Sequence, residues 1–148
     1  MLKNQYNPKK VVILKIHSIV MLKLETSDEN FDLSMLLDIA DGSNEFIVET
    51  IELFLKQTPE LMDEIEGALL AKDLKLAAAS AHKLKPNLGF FGMDNAQTLM
   101  QQIEGLAKAG NDVPEILARF SELTAIVKPT LLKLEQIMIA KATEILKR

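Results

Sequence analysis

The chain has 148 residues, of which 48% are hydrophobic and 26% charged, so it suits one globular domain with a buried core and not a disordered segment. Its formal net charge of -4 argues against non-specific nucleic-acid binding, which needs clustered positive charge. The absence of cysteine excludes disulfides and thiolate metal sites and predicts a reducing, cytoplasmic location.

The N-terminal segment is the unusual part of the sequence. Residues 11–22 read VVILKIHSIVML, a run shorter than the about 20 apolar residues of a membrane-spanning helix and interrupted by Lys15 and His17. No small-residue cleavage site follows it, so a secretory signal is not expected either. We therefore predict no membrane insertion and a disordered or strand-like N-terminal extension over residues 1–30, with a true start at Met21 as an open alternative. His17 is not expected to carry a function.

From residue 31 the apolar spacing becomes helical. A short first helix is predicted to place one apolar face inward and to end at Asp41-Gly42; that face comprises Phe31, Met35, Leu36 and Ile39. Ser43 can cap a second helix by accepting a backbone N–H, and Pro59 should bend that helix or split it in two.

The remaining chain predicts three further helices. Asp73 can cap a third, over about 74–90, and Asp94 a fourth that ends near Gly110. Pro114 suits the first turn of a fifth, in which Pro129 predicts a kink or a break. Because the connections are short, we expect an all-α, antiparallel four-helix bundle over residues 31–148, with an additional short N-terminal helix and an extended C-terminal helix. Residues 130–148 could extend the last helix, fold back on the bundle or pair with a second copy.

The third helix carries the most informative histidine. His82 falls well outside the apolar stripe of this helix, so it should point to solvent or to the edge of the bundle. An unperturbed imidazole has a pKa of about 6.5 and is largely neutral, hence nucleophilic, near neutral pH. Lys83 and Lys85 place positive charge beside it, suited to a phosphoryl group. Small or compact neighbours should leave the ring accessible to a partner: Ala78, Ala79, Pro86 and Gly89.

The segment AHKLKPNLGFFGM resembles the signature of the histidine-phosphotransfer (HPt) family, which has a phosphoacceptor His, Leu two residues on, Lys three on and a Gly-containing apolar tail. The matching positions are His82, Leu84, Lys85, Leu88, Gly89 and Gly92. Upstream, FIVETIELFLKQTPELMDEIEGALLAKD resembles the family's second helix and the link into its third, and MDNAQTLMQQIEGLAKAG resembles its fourth, so about residues 31–127 are covered. Pro86 stands where many members have Gly, and it removes the backbone donor that would bond the carbonyl of His82.

The resemblance implies a four-helix bundle in which His82 accepts a phosphoryl group from an Asp of a receiver domain and returns it to a second receiver. It implies partners among the receiver domains of response regulators or hybrid histidine kinases. Lys85 is the best candidate to contact the phosphoryl group, and Lys83 a weaker one. No GxxxxGK[ST] run or glycine-rich kinase loop occurs, so the chain is not expected to use ATP itself. No cofactor or metal site is predicted, because no carboxylate cluster is obvious beside His82; the receiver should bring the magnesium and the Asp.

The sequence is also compatible with other functions. The first is a helical adaptor that has the bundle but no phosphotransfer activity, which substitution of His82 would leave nearly unaffected. A carboxylate-bridged di-iron bundle is disfavoured because neither histidine lies in a Glu-x-x-His pair. A hydrolase is equally disfavoured, since two histidines without cysteine assemble no catalytic set.

Overall fold

The computed structural model describes residues 25–147 and the isolated position Lys9. The predictions for the apolar segment 11–22, including His17, lie outside the described residues. The described part contains five helices: α1 (Ser34–Ala40), α2 (Asn44–Leu70), α3 (Leu74–Phe90), α4 (Asp94–Lys108) and α5 (Val113–Leu146). The all-α prediction is confirmed. None of these helices is long and apolar enough to span a membrane.

Helices α2 to α5 form the four-helix bundle. Each packs against two others, α3 between α2 and α4, and α5 against α4 and α2, so the four close into a ring around one core. The links at 71–73, 91–93 and 109–112 are short, which makes consecutive helices antiparallel neighbours. The third and fourth helices therefore lie side by side along their length, and this pair carries the candidate site.

Two predicted helix caps are confirmed and one is wrong. The side chain of Ser43 accepts the N–H of Phe46 at 3.2 Å, and that of Asp73 accepts the N–H of Leu76 at 3.1 Å. Asp94 does not cap α4, because it is the first residue of the helix. The preceding residue occupies the N-cap position, and its side chain makes no capping hydrogen bond. An acidic residue in the first turn still suits the positive end of the helix dipole.

The prolines inside the helices do not break them. Pro59 lies within α2, Pro86 within α3 and Pro129 within α5, and each helix runs on past its proline. Of the two outcomes predicted at Pro59 and Pro129, a bend or a break, the break does not occur. A proline removes one backbone donor, and here packing outweighs that loss, since buried residues such as Thr58 and Thr130 lie beside the two prolines.

The short first helix is present, but its buried face differs from the predicted one. Met35 and Ile39 are 53% and 56% exposed, whereas Leu36 and Ala40 are buried. Within the described chain α1 makes its main helix contact with α2 alone. A helix covered by a single neighbour buries only a narrow stripe, and the rest of its apolar side chains stay in solvent.

The C-terminal stretch extends the last helix, one of the three alternatives considered. Helix α5 is continuous from Val113 to Leu146 and keeps burying one face beyond Pro129. Its end lies beside the start of α2, where the Asn44 amide Nδ2 donates to Glu144 Oε2 at 2.9 Å. The added length therefore prolongs the core along the first half of α2.

Residues 25–33 form an irregular segment, here called the strap, which contacts α5 and the turn after α3. The carboxylate of Asp28 accepts the backbone N–H groups of Asn30 and Phe31 and forms an ion pair with Lys133 of α5. A single antiparallel bridge links Ser27 to Asp32. The backbone N–H of Asp32 donates to the carbonyl of Phe91 at 3.1 Å, which ties the strap to the C-terminal end of α3.

Candidate functional site

His82 lies on the outer side of α3, as its position off the apolar stripe predicts. The core face of this helix is formed by Ala77, Ala81, Leu84 and Leu88. The side chain of His82 is 68% exposed. The ring nevertheless has a fixed partner, since its Nδ1 lies 3.0 Å from Oε2 of Glu104 on α4.

Glu104 is a buried carboxylate at the centre of a small charged cluster. The residue is 5% exposed. Its Oε1 lies 3.0 Å from the Nζ of Lys85, and its Oε2 lies 3.6 Å from the Nζ of Lys108. Burial on its own would raise the pKa of Glu104, but the hydrogen bonds from Lys85 and His82 and the charges of both lysines outweigh it, so the pKa lies below its usual value. The carboxylate is therefore ionised at neutral pH.

The ionised carboxylate fixes the tautomer of the histidine. A carboxylate can only accept hydrogen bonds, so the hydrogen between the two groups must sit on Nδ1 of His82. The lone pair of the neutral ring is then on Nε2, which makes no hydrogen bond to the described residues. This nitrogen belongs to the solvent-exposed part of the ring, where a neutral imidazole can act as a nucleophile.

Glu104 was not predicted as a site residue, although its position in the apolar stripe of α4 could have indicated it. The apolar stripe of α4 comprises Met100, Ile103 and Ala107, and Glu104 falls within it at helical spacing. A carboxylate within a buried stripe needs a partner, because an unpaired buried charge is costly. Which partner it finds depends on the packing of α3 against α4, which sequence spacing does not give.

The two lysines predicted beside His82 occupy different environments. The side chain of Lys85 is only 25% exposed, and it donates to Oε1 of Glu104, whereas the shorter contact of the imidazole is to Oε2. Lys83 is exposed. Lys108, which the sequence did not single out, joins them from α4 with a 63% exposed side chain. The cluster around Glu104 thus contains the imidazole of His82 and two lysines, Lys85 and Lys108, and Lys83 lies outside it.

The small residues predicted to leave the imidazole accessible differ in how exposed they are. Ala79 and Pro86 are exposed, whereas Ala78 is 5% exposed. Gly89 lies against α4, where a Cβ would come 2.4 Å from the Gln97 amide nitrogen. That amide donates to the backbone carbonyl of Lys85 at 3.2 Å. Gly89 therefore allows α4 to approach α3 just beyond the histidine.

Comparison with known proteins identifies the bundle. A model of the Hpt domain family matches residues 49–136, a range that contains both His82 and Glu104. The chain belongs to the Hpt domain family. It is also 27% identical over 108 residues to the phosphorelay intermediate protein rdeA of Dictyostelium discoideum, a match that covers 69% of this chain and 42% of the relative. The match thus covers less than half the length of that relative. No solved structure matches this chain.

A groove runs beside His82 between α3 and α4 of this Hpt domain. Its volume is about 630 Å³. It is lined by Leu74, Lys75, Ala78, Ala79, His82, Lys83, Ala107 and Lys108. Over residues 25–147 there is no cluster of three or more His, Asp or Glu side chains that could hold a metal ion. The groove is therefore a cationic and apolar surface next to an imidazole.

Proposed function

We propose that this Hpt domain is a histidine phosphotransfer protein that relays a phosphoryl group between receiver-domain aspartates through His82. The observation that carries the proposal is an exposed imidazole whose Nδ1 is bound to the buried carboxylate of Glu104, which leaves Nε2 toward solvent. Family membership and the likeness to a phosphorelay intermediate support it. The partners would be receiver domains of response regulators or of hybrid histidine kinases, and the cysteine-free sequence fits a cytoplasmic site of action.

The forward step follows from the tautomer. The lone pair of Nε2 attacks the phosphorus of an aspartyl phosphate, the N–P bond forms, and the bond from phosphorus to the aspartate oxygen breaks. The aspartate leaves as a carboxylate, so no proton has to reach it. The ring keeps its hydrogen on Nδ1 and becomes cationic, and the negative charge of Glu104, 3.0 Å away, stabilises that cation.

The return step uses the same contacts in reverse. A carboxylate of a second receiver attacks the phosphorus, and the N–P bond breaks as the electron pair returns to Nε2. The cationic ring is a good leaving group because departure restores a neutral imidazole. Transfer between partners then depends on positioning, since phosphoryl transfer asks little covalent chemistry of the protein beyond the acceptor atom.

The lysines around the site supply positive charge for the phosphoryl oxygens. Lys85 and Lys83 are the proposed phosphate-proximal residues, and Lys108 adds a third ammonium on the α4 side. The surface that meets the receiver would include Ala79 and Pro86, which are exposed and compact; Ala78, which is buried, and Gly89, which lies against Gln97, would contribute less to it. The receiver would supply the divalent metal that aspartyl phosphate chemistry needs.

The experiment that tests the proposal is transfer of labelled phosphate from a phosphorylated receiver domain to the purified chain. The chain has two histidines, so His82→Gln is compared with His17→Gln as a matched control. Wild type and His17→Gln should take up acid-labile label, and His82→Gln should take up none. Label that persists in His82→Gln would overturn the assignment. A wild-type chain that binds several phosphorylated receivers but stays unlabelled would favour the adaptor.

A further inference from the structure

Helix α3 lacks one backbone hydrogen bond in the turn that carries His82. Pro86 lies inside this helix and has no N–H, so the carbonyl of His82 has no backbone donor four residues further along. The same turn carries Lys85, whose Nζ donates to Oε1 of Glu104 at 3.0 Å. The part of α3 that supports the histidine and this lysine is therefore held by fewer backbone bonds than an uninterrupted helix.

A side chain of α4 bonds this part of α3 from the neighbouring helix. Nε2 of Gln97 donates to the backbone carbonyl of Lys85 at 3.2 Å, and the contact is partly buried. The amide fits there because residue 89 is glycine, since a Cβ at Gly89 would lie 2.4 Å from the same Nε2. A partly buried hydrogen bond competes less with water than an exposed one. Gln97 therefore supplies α3 with a bond to α4 where Pro86 has removed a bond within the helix.

We propose that Gln97 is a positioning residue for phosphotransfer through His82. Gln97 holds the backbone of Lys85, and Nζ of Lys85 holds Glu104. Glu104 in turn holds Nδ1 of His82 at 3.0 Å. Each of these contacts joins α3 to α4, so together they fix one helix against the other. The inference rests on the proposed phosphotransfer function, in which the orientation of the imidazole toward a receiver governs the rate.

Two substitutions remove the contact from opposite sides. Gln97→Ala removes the donor, whereas Gly89→Ala places a Cβ where the amide lies, so that the amide must move away. In the double variant the added methyl group meets no amide, so the second substitution should cause no further loss of rate. Gln101→Ala is the matched control, because Gln101 is exposed one turn further along α4.

The first measurement is the rate of transfer from a phosphorylated receiver as a function of receiver concentration. Each single variant should lower the maximal rate roughly fivefold, as expected for one lost hydrogen bond, and the double variant should show the same loss. The receiver concentration at half of the maximal rate should stay that of wild type, because the contact positions the ring and does not bind the receiver. Gln101→Ala should match wild type. Losses that multiply in the double variant would contradict the proposal, since the two substitutions would then act independently.

Nitrogen-15 NMR of the histidine rings tests the positioning without any receiver. In wild type the hydrogen of the neutral His82 ring should be on Nδ1. The single variants should show a larger share of rings with the hydrogen on Nε2, because Glu104 is held less firmly. A residue that only stabilises the fold would lower the free energy of unfolding and leave this share unchanged.

The two measurements separate the positioning role from phosphotransfer itself. If Gln97→Ala keeps the wild-type tautomer of His82, the proposal is wrong, and phosphotransfer through this histidine stands. If no phosphorylated receiver labels wild type, both proposals fail.

Discussion

Oε2 of Glu104 on α4 lies 3.0 Å from Nδ1 of His82 on α3, and this contact decides which ring nitrogen faces the solvent. Because the carboxylate is buried and also bound to Lys85 at 3.0 Å, it is held in place and cannot rotate freely to other partners. The imidazole is thereby fixed in one orientation although its side chain is 68% exposed. A surface histidine without such a partner would sample several rotamers and both tautomers.

Glu104→Gln should slow phosphotransfer without removing the acceptor. The amide can still meet Nδ1, but it carries no charge to stabilise the cationic ring. A hydrogen bond to a charged group is worth about 1.5–3 kcal/mol, which corresponds to a rate loss of roughly 10- to 150-fold. Single-turnover transfer at saturating receiver measures this directly. An unchanged rate would show that the contact has no part in the reaction.

The free energy of unfolding should depend on pH through the ionisation of Glu104. The pKa of Glu104 lies below its usual value, so its ionised form stabilises the fold above the unfolded-state pKa of about 4.5, and this contribution is lost as the pH falls through the lower folded-state value. Wild type should therefore lose its stability advantage over Glu104→Gln as the solution is acidified below pH about 4.5. Urea unfolding of both proteins at neutral and acidic pH checks this. A difference that is the same at both pH values would contradict it.

Gly92→Ala should destabilise the protein. Gly92 has φ +63°, and a Cβ there would come 2.3 Å from the carbonyl oxygen of Asp32 in the strap. The left-handed backbone costs a residue with a side chain about 1–2 kcal/mol, and displacement of the strap adds to that. Denaturant unfolding gives the free energy of unfolding.

Gly105→Ala is the control for that substitution. Gly105 lies inside α4 without a positive φ, and a Cβ added there would meet no described atom within 4 Å. Alanine there should raise the free energy of unfolding by roughly 0.5–1 kcal/mol. Equal effects of the two substitutions would contradict both the left-handed backbone at Gly92 and its close contact with the strap.

Asp28→Ala should destabilise the fold more than Lys133→Ala. Both remove the ion pair, and a pair with a 54% exposed lysine contributes little. Asp28 additionally accepts two backbone N–H groups, from Asn30 and Phe31, and a capping contact of this kind is worth about 1 kcal/mol. Thermal unfolding of the two variants gives the order. A larger loss for Lys133→Ala would assign the strap's stability to the charge pair instead.

Local features of the fold could be predicted from the sequence. The caps at Ser43 and Asp73 and the exposed position of His82 follow from residue types and helical spacing, and the structure confirms them. These features depend on neighbours within a few residues. Local chemistry is enough to specify them.

Features that depend on packing could not be predicted in the same way. Because proline lacks a donor, the sequence predicted a bend or a split at Pro59, and it could not show that α2 stays continuous within the bundle. Met35 and Ile39 were assigned to the core by spacing alone, without knowledge of how little of α1 is covered. Glu104 meets His82 only because α3 and α4 pack in one register, so the partner of the imidazole was missed.

The most direct test of phosphotransfer through His82 is the identity of the phosphorylated atom. Nitrogen and phosphorus NMR of the chain, labelled with nitrogen-15 in histidine and phosphorylated by a receiver, reports which ring nitrogen is bonded to phosphorus. We expect one phosphorylated nitrogen, Nε2 of His82, with the hydrogen retained on Nδ1 toward Glu104. Phosphorus on Nδ1 of His82, or on any other residue, would contradict the proposed mechanism.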